Sequence, residues 1–567
     1  MKKELKPFEQ WPFRVPSIAK EVEKVNALTK EFKEAPDEAT ALRIIKKHNK
    51  LDDRFGNEVT HVQVCFTLDT NNKKYKKAIT VLDEGLPLYH NAEIAFRKAI
   101  LESPYRPFLE KKLGSFLFKM YEYSLKSFDE RIIEESIEEN KLTTAYGEVI
   151  ASAKIEFRGG VYNLPQMGKF MQDKDRETRK EASKAYFAYL STRADELEEI
   201  YDKLVKIRDK MAKKLGYPSY VELAYLRMSR YDYDAKDVAG YREQIREAVT
   251  PIAAKLTKEQ FKRTGIKNPE IYDLSLAFKE GNPTPKGTTA EKIELAKQMY
   301  DAMSPETSYF FRYMADAHVL DLEAKPGKQS GGYMTYFPVY EIPFIFSNFN
   351  GTSGDVDVLT HEFGHSFQAY MSRGIKIPEY RSPTMESCEI HSMSMEFFAH
   401  PYMDKFFADP ERYRYSHVAD SILFLPYGVT VDEYQEWVYH NPEASKAERD
   451  AKWHELEVKY TPYKVECYGD CEYMKQGRRW LTQGHIFESP FYYIDYTLAQ
   501  VMAFQFFNLD RKNHELAWKR YLRLCAMGGK YPFRELVSRS HMKDPFVPGT
   551  IKKTVQPLLK ELKTYAI

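Results

Sequence analysis

The segment Asp355-Val-Asp-Val-Leu-Thr-His361-Glu362-Phe-Gly-His365-Ser-Phe-Gln-Ala-Tyr-Met-Ser372 decides how the chain is read. Val356, Leu359, Phe363 and Phe367 recur at three- and four-residue intervals, which predicts an amphipathic helix with one face in a core. Ser353 or Asp355 stands where a helix cap is expected. On such a helix His361 and His365 point the same way and can both give a nitrogen to one zinc ion, while Glu362 can reach a water beside it. H-E-x-x-H would arise by chance roughly 0.03 times in a chain of this length and composition. The bland alternative is two histidines and a glutamate on a solvated helical face.

A zinc site of this kind needs a third protein ligand. A metzincin would carry Gly and His at positions 368 and 371; the chain has Gln368 and Met371, which excludes that class. The next acids are Glu379, Glu386, Glu389 and Glu396, the last three in a second helical segment, Thr384 to Phe398. Glu386 suits a thermolysin-like spacing and Glu389 a longer connection, so spacing leaves both open.

Working outward, Gly331-Gly332-Tyr-Met-Thr-Tyr-Phe337 and Phe344-Ile-Phe-Ser-Asn-Phe349 predict two aromatic-rich strands just before the motif. They are either a packing hairpin or an edge on which an extended peptide adds as a further strand. Residues 16–150 carry helical periodicity broken only at short turns, Ala153 to Pro165 reads as a small hairpin, and helix resumes over Asp175 to Leu215. The chain thus divides into a helical N-terminal lobe, 1–150, and a remainder, 151–567, that holds the H-E-x-x-H helix.

Composition bounds the rest. The chain has 567 residues, 14% of them aromatic, with 85 basic against 83 acidic residues and a net charge of +2, so a large core is affordable and no field gathers nucleic acid. No stretch is apolar enough to span a membrane. Cys65, Cys388, Cys467, Cys471 and Cys525 are too scattered for a disulfide framework, and the start of the chain lacks a secretory signal, so a cytoplasmic protein is expected. Cys388 and His391 flank Glu389 and read as packing, although a thiol there would give sensitivity to oxidants.

His361-Glu-Phe-Gly-His365 followed by Glu389-Ile-His-Ser-Met-Ser-Met-Glu396 resembles the zinc signature of the thimet oligopeptidase and oligoendopeptidase F family, closest to its bacterial oligoendopeptidase F and Pz-peptidase branch. The resemblance implies Glu389 as third ligand and Asp357, one helical turn before His361, as the acid that supports the first histidine. His485-Ile-Phe-Glu-Ser-Pro-Phe-Tyr492-Tyr493-Ile-Asp-Tyr496 is similar to the family's histidine and Y-x-x-Y block, which implies His485, Tyr493 and Tyr496 facing the zinc. The interval after His485 is shorter than in the animal enzymes, so Tyr492 or Tyr493 takes the first place.

The fold so implied is mainly α, an elongated two-lobed helical body around a deep internal cleft, with a small β sheet beside the zinc helix. The implied activity is that of a zinc-dependent oligopeptidase, with one zinc per chain, Glu362 as general base and short unfolded peptides as substrates. Two other readings compete: a zinc exopeptidase, as in a carboxypeptidase or dipeptidyl-carboxypeptidase, and a catalytically inactive helical peptide-binding protein.

Overall fold

Three long helices open the chain: α1 (Ile18–Lys33), α2 (Glu38–Leu68) and α3 (Lys73–Leu101), in a computed structural model that describes residues 5–567. Asp37 and Asn72 end the short connections as helix caps, accepting from Thr40 N and from Lys74 N and Tyr75 N, which satisfies backbone donors a helix start leaves open. Val25, Leu28, Ile44, Val62, Leu82 and Phe96 bury one face of these helices in a core of their own, to which the far half of the chain contributes Tyr380. The Tyr380 hydroxyl accepts from Leu117 N at 2.8 Å and pins the two halves together.

A second, larger core holds the rest. The helix α4 (Ile133–Ala151) leads into a hairpin of β1 (Ile155–Phe157) and β2 (Gly160–Tyr162), whose turn residues Arg158 and Gly159 both have positive φ. Next comes α5 (Arg176–Leu215), capped by Asp175. Its Arg208, fully buried, donates to Glu139 of α4 at 2.7 Å and to the carbonyl oxygens of Ile486 and Phe487, so a charge inside the core is paired and also holds a distant turn in place.

The sheet beside the H-E-x-x-H helix has three strands in the order β3-β5-β4. These are β3 (Leu320–Glu323), parallel to β5, and β4 (Tyr333–Phe337), antiparallel to β5 (Ile342–Phe349). The two aromatic strands expected from sequence are β4 and β5. The third escaped the reading because Leu-Asp-Leu-Glu is short and half charged. Ile345 N donates to Val319 O at 2.9 Å, toward β3, so Ile345 and Pro343 turn their backbone away from β4. Opposite them, Met334 and Tyr336 therefore turn theirs to the open side, and β4 is a free edge.

The remaining elements carry the site: α6 (Gly354–Ser372), α7 (Met385–Phe398), α8 (Pro410–His440), the short α9 (Gly484–Glu488) and α10 (Tyr493–Asp510). Asp355 fixes the start of α6 by accepting from Asn350 N at 2.8 Å and pairing with Lys292 at 2.8 Å in the core. Helices α6 and α7 cross at Gly364, the residue between Phe363 and His365. A Cβ there would lie 2.6 Å from the His391 carbonyl oxygen and from Ser392 Cα, so only glycine permits this approach. All five cysteines are unpaired, and no helix among the described residues is long and apolar enough to cross a membrane.

Replacing Gly364 with Ala should push α6 and α7 apart, lower stability by about 1–3 kcal/mol and weaken metal retention, as measured by thermal unfolding and metal content.

Candidate active site

His361 and His365 sit one turn apart on α6, and Glu389 reaches them from α7. His361 Nε2 and His365 Nε2 lie 3.1 and 3.3 Å from the same oxygen, Glu389 Oε2. The donor atoms of the three residues all fall within 4.8 Å of one another. Glu386, the alternative by spacing, is outside this trio; its carboxylate accepts from Thr384 Oγ1 at 2.9 Å in the first turn of α7.

The protons on these groups indicate what belongs between them. His361 Nδ1 lies 2.6 Å from Glu396 Oε1, and a carboxylate only accepts, so Nδ1 carries a hydrogen and Nε2 is the nitrogen turned toward Glu389. That nitrogen at 3.1 Å from a buried carboxylate oxygen calls for positive charge between them, either a proton on the ring or a metal ion. Donors bound at 2.0–2.1 Å to one tetrahedral ion lie about 3.3 Å from each other, which matches the observed spacing. The trio therefore fits a metal ion.

The partner of His361 differs from the one expected. Asp357 does not reach His361: its carboxylate accepts from the Tyr413 hydroxyl of α8, and Glu396 supports the imidazole instead. The reason is the geometry of α7, where Glu389 and Glu396 are seven residues, two turns, apart and share the face toward α6. Glu396 also accepts from His417 Nε2 at 2.8 Å, and His417 Nδ1 meets His400 Nε2 at 2.9 Å, so a chain of buried polar groups fixes the ligand from behind. In the sequence Glu396 is one of the acids after the motif and closes the segment that Glu389 opens, with nothing local to pair it with His361.

Opposite the trio lies the block from α9 to α10. The Tyr492 hydroxyl bonds to Glu389 Oε1, and Tyr496 lines the same cavity, of about 610 Å³, as His361, Glu362 and Glu389. Tyr493 lies in the neighbouring cavity with Phe424 and Ser421, its ring 5.7 Å from those of Phe424 and Tyr427. Positions 492 and 496 are four apart and share a helical face, whereas 493 is turned away by about 100°. The structure thus brings Tyr492 and Tyr496 to the trio and leaves Tyr493 behind them.

That orientation rests on a strained residue. Phe491 adopts φ of 69°, a left-handed conformation costly for a bulky side chain. Its N–H donates to Gln435 Oε1 at 2.9 Å, and its carbonyl accepts from the buried Arg230 at 2.6 Å.

His485 stands beside the two phenols. Tyr427 donates to Gln483 Oε1 at 2.7 Å, which turns the Gln483 amide nitrogen onto His485 Nδ1 at 2.9 Å. His485 Nε2 therefore carries the hydrogen and donates to the Tyr496 oxygen at 3.1 Å, leaving the Tyr496 hydrogen free for another acceptor. Burial pushes the His485 pKa down to about 4 against the pull of Glu389, so the ring is neutral at pH 7. Burial and the Glu389 charge hold both phenols well above their ordinary range, so they remain donors.

Glu362 completes the site. It is buried, its Oε2 has no hydrogen-bond partner, and burial raises its pKa although His361 and His365 pull the other way. Cys388 lines the cavity, but burial and the nearby Glu389 push its thiol far up, so it carries little thiolate and the expected oxidant sensitivity loses its basis. His391 is fully buried and faces no metal-site residue through a hydrogen bond.

Glu396→Gln should weaken metal affinity about 10–100-fold, because an amide in that place no longer fixes the His361 tautomer, whereas Asp357→Asn should leave affinity nearly unchanged. Competition with a metal indicator separates the two variants.

Comparison with known proteins gives a consistent answer. The model for peptidase family M3 matches residues 169–555, and that for the peptidase M3 N-terminal domain matches residues 8–128. A structure of PZ peptidase A with an inhibitor is 44% identical, covers 98% of this chain and 99% of its own, and superposes with a TM-score of 0.97. A structure described as oligoendopeptidase F, from Bacillus anthracis strain Ames, is 42% identical, covers 99% of each chain and has a TM-score of 0.92. A comparison with curated proteins gave no match. With both family models matched in order and the trio of His361, His365 and Glu389 inside the larger match, the chain belongs to peptidase family M3.

Proposed function

We propose that this protein is a zinc-dependent oligopeptidase that hydrolyses internal bonds of short, unfolded peptides. The observation that carries the reading is the convergence of His361, His365 and Glu389 on one point beside the unpartnered carboxylate of Glu362, inside a cleft bordered by a free strand edge. The similarity to PZ peptidase A and to oligoendopeptidase F supports it. Two imidazoles and one carboxylate are a donor set suited to zinc with an open fourth position.

Zinc in this place would polarise the scissile carbonyl and acidify the attacking water. The protein's own groups do the rest. Glu362, its pKa raised by burial, takes the proton of that water and returns it to the departing amine. Tyr496, with its oxygen already occupied by the His485 N–H, donates its hydrogen to the carbonyl oxygen as negative charge develops there. Tyr492 holds Glu389 from the side opposite Ser392, which donates to Glu389 Oε2 at 2.8 Å. A substrate laid along β4 would pair with the outward backbone groups of Met334 and Tyr336 and be fixed in register.

The endopeptidase reading is favoured over an exopeptidase by the lining of the cleft. Among the described residues, neither the cavity of the trio nor the one along β4 has a Lys or Arg to clamp a terminal carboxylate. The five unpaired cysteines support a reducing, cytoplasmic setting.

The native protein should bind one zinc, cut an end-blocked peptide of about ten residues internally, lose activity to a chelator and regain it with zinc. Glu362→Gln should keep the metal and lose at least about a thousandfold in kcat, and Tyr496→Phe about 10²–10³-fold, with Tyr493→Phe within a few-fold of native. Mass analysis of the products checks internal cleavage; release of single residues or dipeptides from free-ended peptides only would contradict the endopeptidase reading.

A further inference from the structure

The cavity of the metal-binding trio continues past Tyr333 and Met334 into a second cavity of about 470 Å³, walled by α2, α4 and the free edge of β4. Glu488, the last residue of α9, lines both and is open to the cleft. Its carboxylate receives one hydrogen bond, a long one of 3.3 Å from the Gln329 side chain, and has no ion pair among the described residues. At the far wall Asp83 accepts from Thr144 Oγ1 at 3.0 Å. No Lys or Arg among the described residues lines either cavity.

Glu488 is exposed to the cleft, and a carboxylate that faces a cleft holding no counter-charge is available to pair with a cation that a ligand brings. An independent feature says what kind of ligand brings the cation. The outward backbone groups of Met334, on the free edge of β4, border the same space, and a peptide added to this edge sends alternate side chains to opposite faces of the sheet.

We infer that Glu488 is a specificity-determining residue of the cleft, binding a positively charged group of the peptide, a Lys or Arg side chain or a free α-ammonium, on the β4 side of the scissile bond. The inference rests on the peptidase reading above and adds to it a substrate class: peptides with a cationic group at a fixed distance from the cut. Arg and Lys pair with Glu488 directly, while neutral peptides bring it no counter-charge.

The test is a set of end-blocked, internally quenched peptides in which one Arg is moved position by position, each paired with the same peptide carrying citrulline, which keeps the shape and removes the charge. A further pair differs only in acetylation of the N-terminus. Values of kcat/KM are measured for the zinc-loaded native enzyme, E488Q and E488K, each shown by thermal unfolding and zinc content to be folded and loaded. The expected result is one position, or the free N-terminus, at which the native enzyme prefers the cation by about tenfold or more, a ratio that falls to near one in E488Q and inverts in E488K. The Arg series and the acetylation pair separate a side chain from an α-ammonium as the source of the charge. A native ratio near one throughout, or a preference that survives in both variants, overturns the role of Glu488. If the native enzyme cuts none of the peptides, neutral ones included, the peptidase reading falls and this inference with it.

Discussion

A carboxylate oxygen buried 3.1 and 3.3 Å from two imidazole nitrogens makes demands on everything around it. Burying Glu389 there costs free energy that only positive charge between the groups returns, a proton on an imidazole or a metal ion. The fold has to supply that convergence from two helices and hold it. It does so by bringing α6 and α7 to backbone contact at Gly364, by directing the His361 hydrogen to Glu396, and by closing the far side of Glu389 with Ser392 and Tyr492. Strain at Phe491, braced by Arg230 and Gln435, belongs to the same economy: it is tolerated because it aims Tyr492 and Tyr496.

Charge is organised around this centre in layers. Next to the metal-binding atoms are groups whose hydrogens are assigned by their neighbours: Tyr427 orients Gln483, Gln483 orients His485, and His485 leaves the Tyr496 hydrogen available. A low-dielectric surrounding strengthens each of these bonds and makes any misdirected one expensive. Further out the cleft is lined by apolar side chains, neutral polar groups and acids, with no Lys or Arg among the described residues, and that asymmetry bears on which peptides enter.

How much of this could be read from the chain depended on whether the information was local. The α6 helix, its paired histidines, the aromatic strands and the helix Arg176–Leu215 all follow from periodicity within a dozen residues or so, and the structure has them. Strand β3, Leu-Asp-Leu-Glu, is too short and too charged for its alternation to stand out; it exists because β5 offers a partner and Lys328 ties the following loop to Asp321. In the site, the E-x-x-S-x-x-x-E segment pointed to Glu389, but which acid backs His361 depended on how α7 lies across α6, a tertiary fact. The Tyr492 and Tyr493 question was likewise undecidable from spacing, since it turns on where α10 begins and on a left-handed Phe491 just before it.

The account stands on a single metal ion held between α6 and α7. Its most direct test is an anomalous difference map from crystals of the native protein, recorded on both sides of the zinc absorption edge. The account predicts one peak, present only above the edge, at 2.0–2.2 Å from His361 Nε2, His365 Nε2 and a Glu389 carboxylate oxygen. A zinc-saturated crystal with no peak there, or with the peak on Glu386 and away from Glu389, would contradict it.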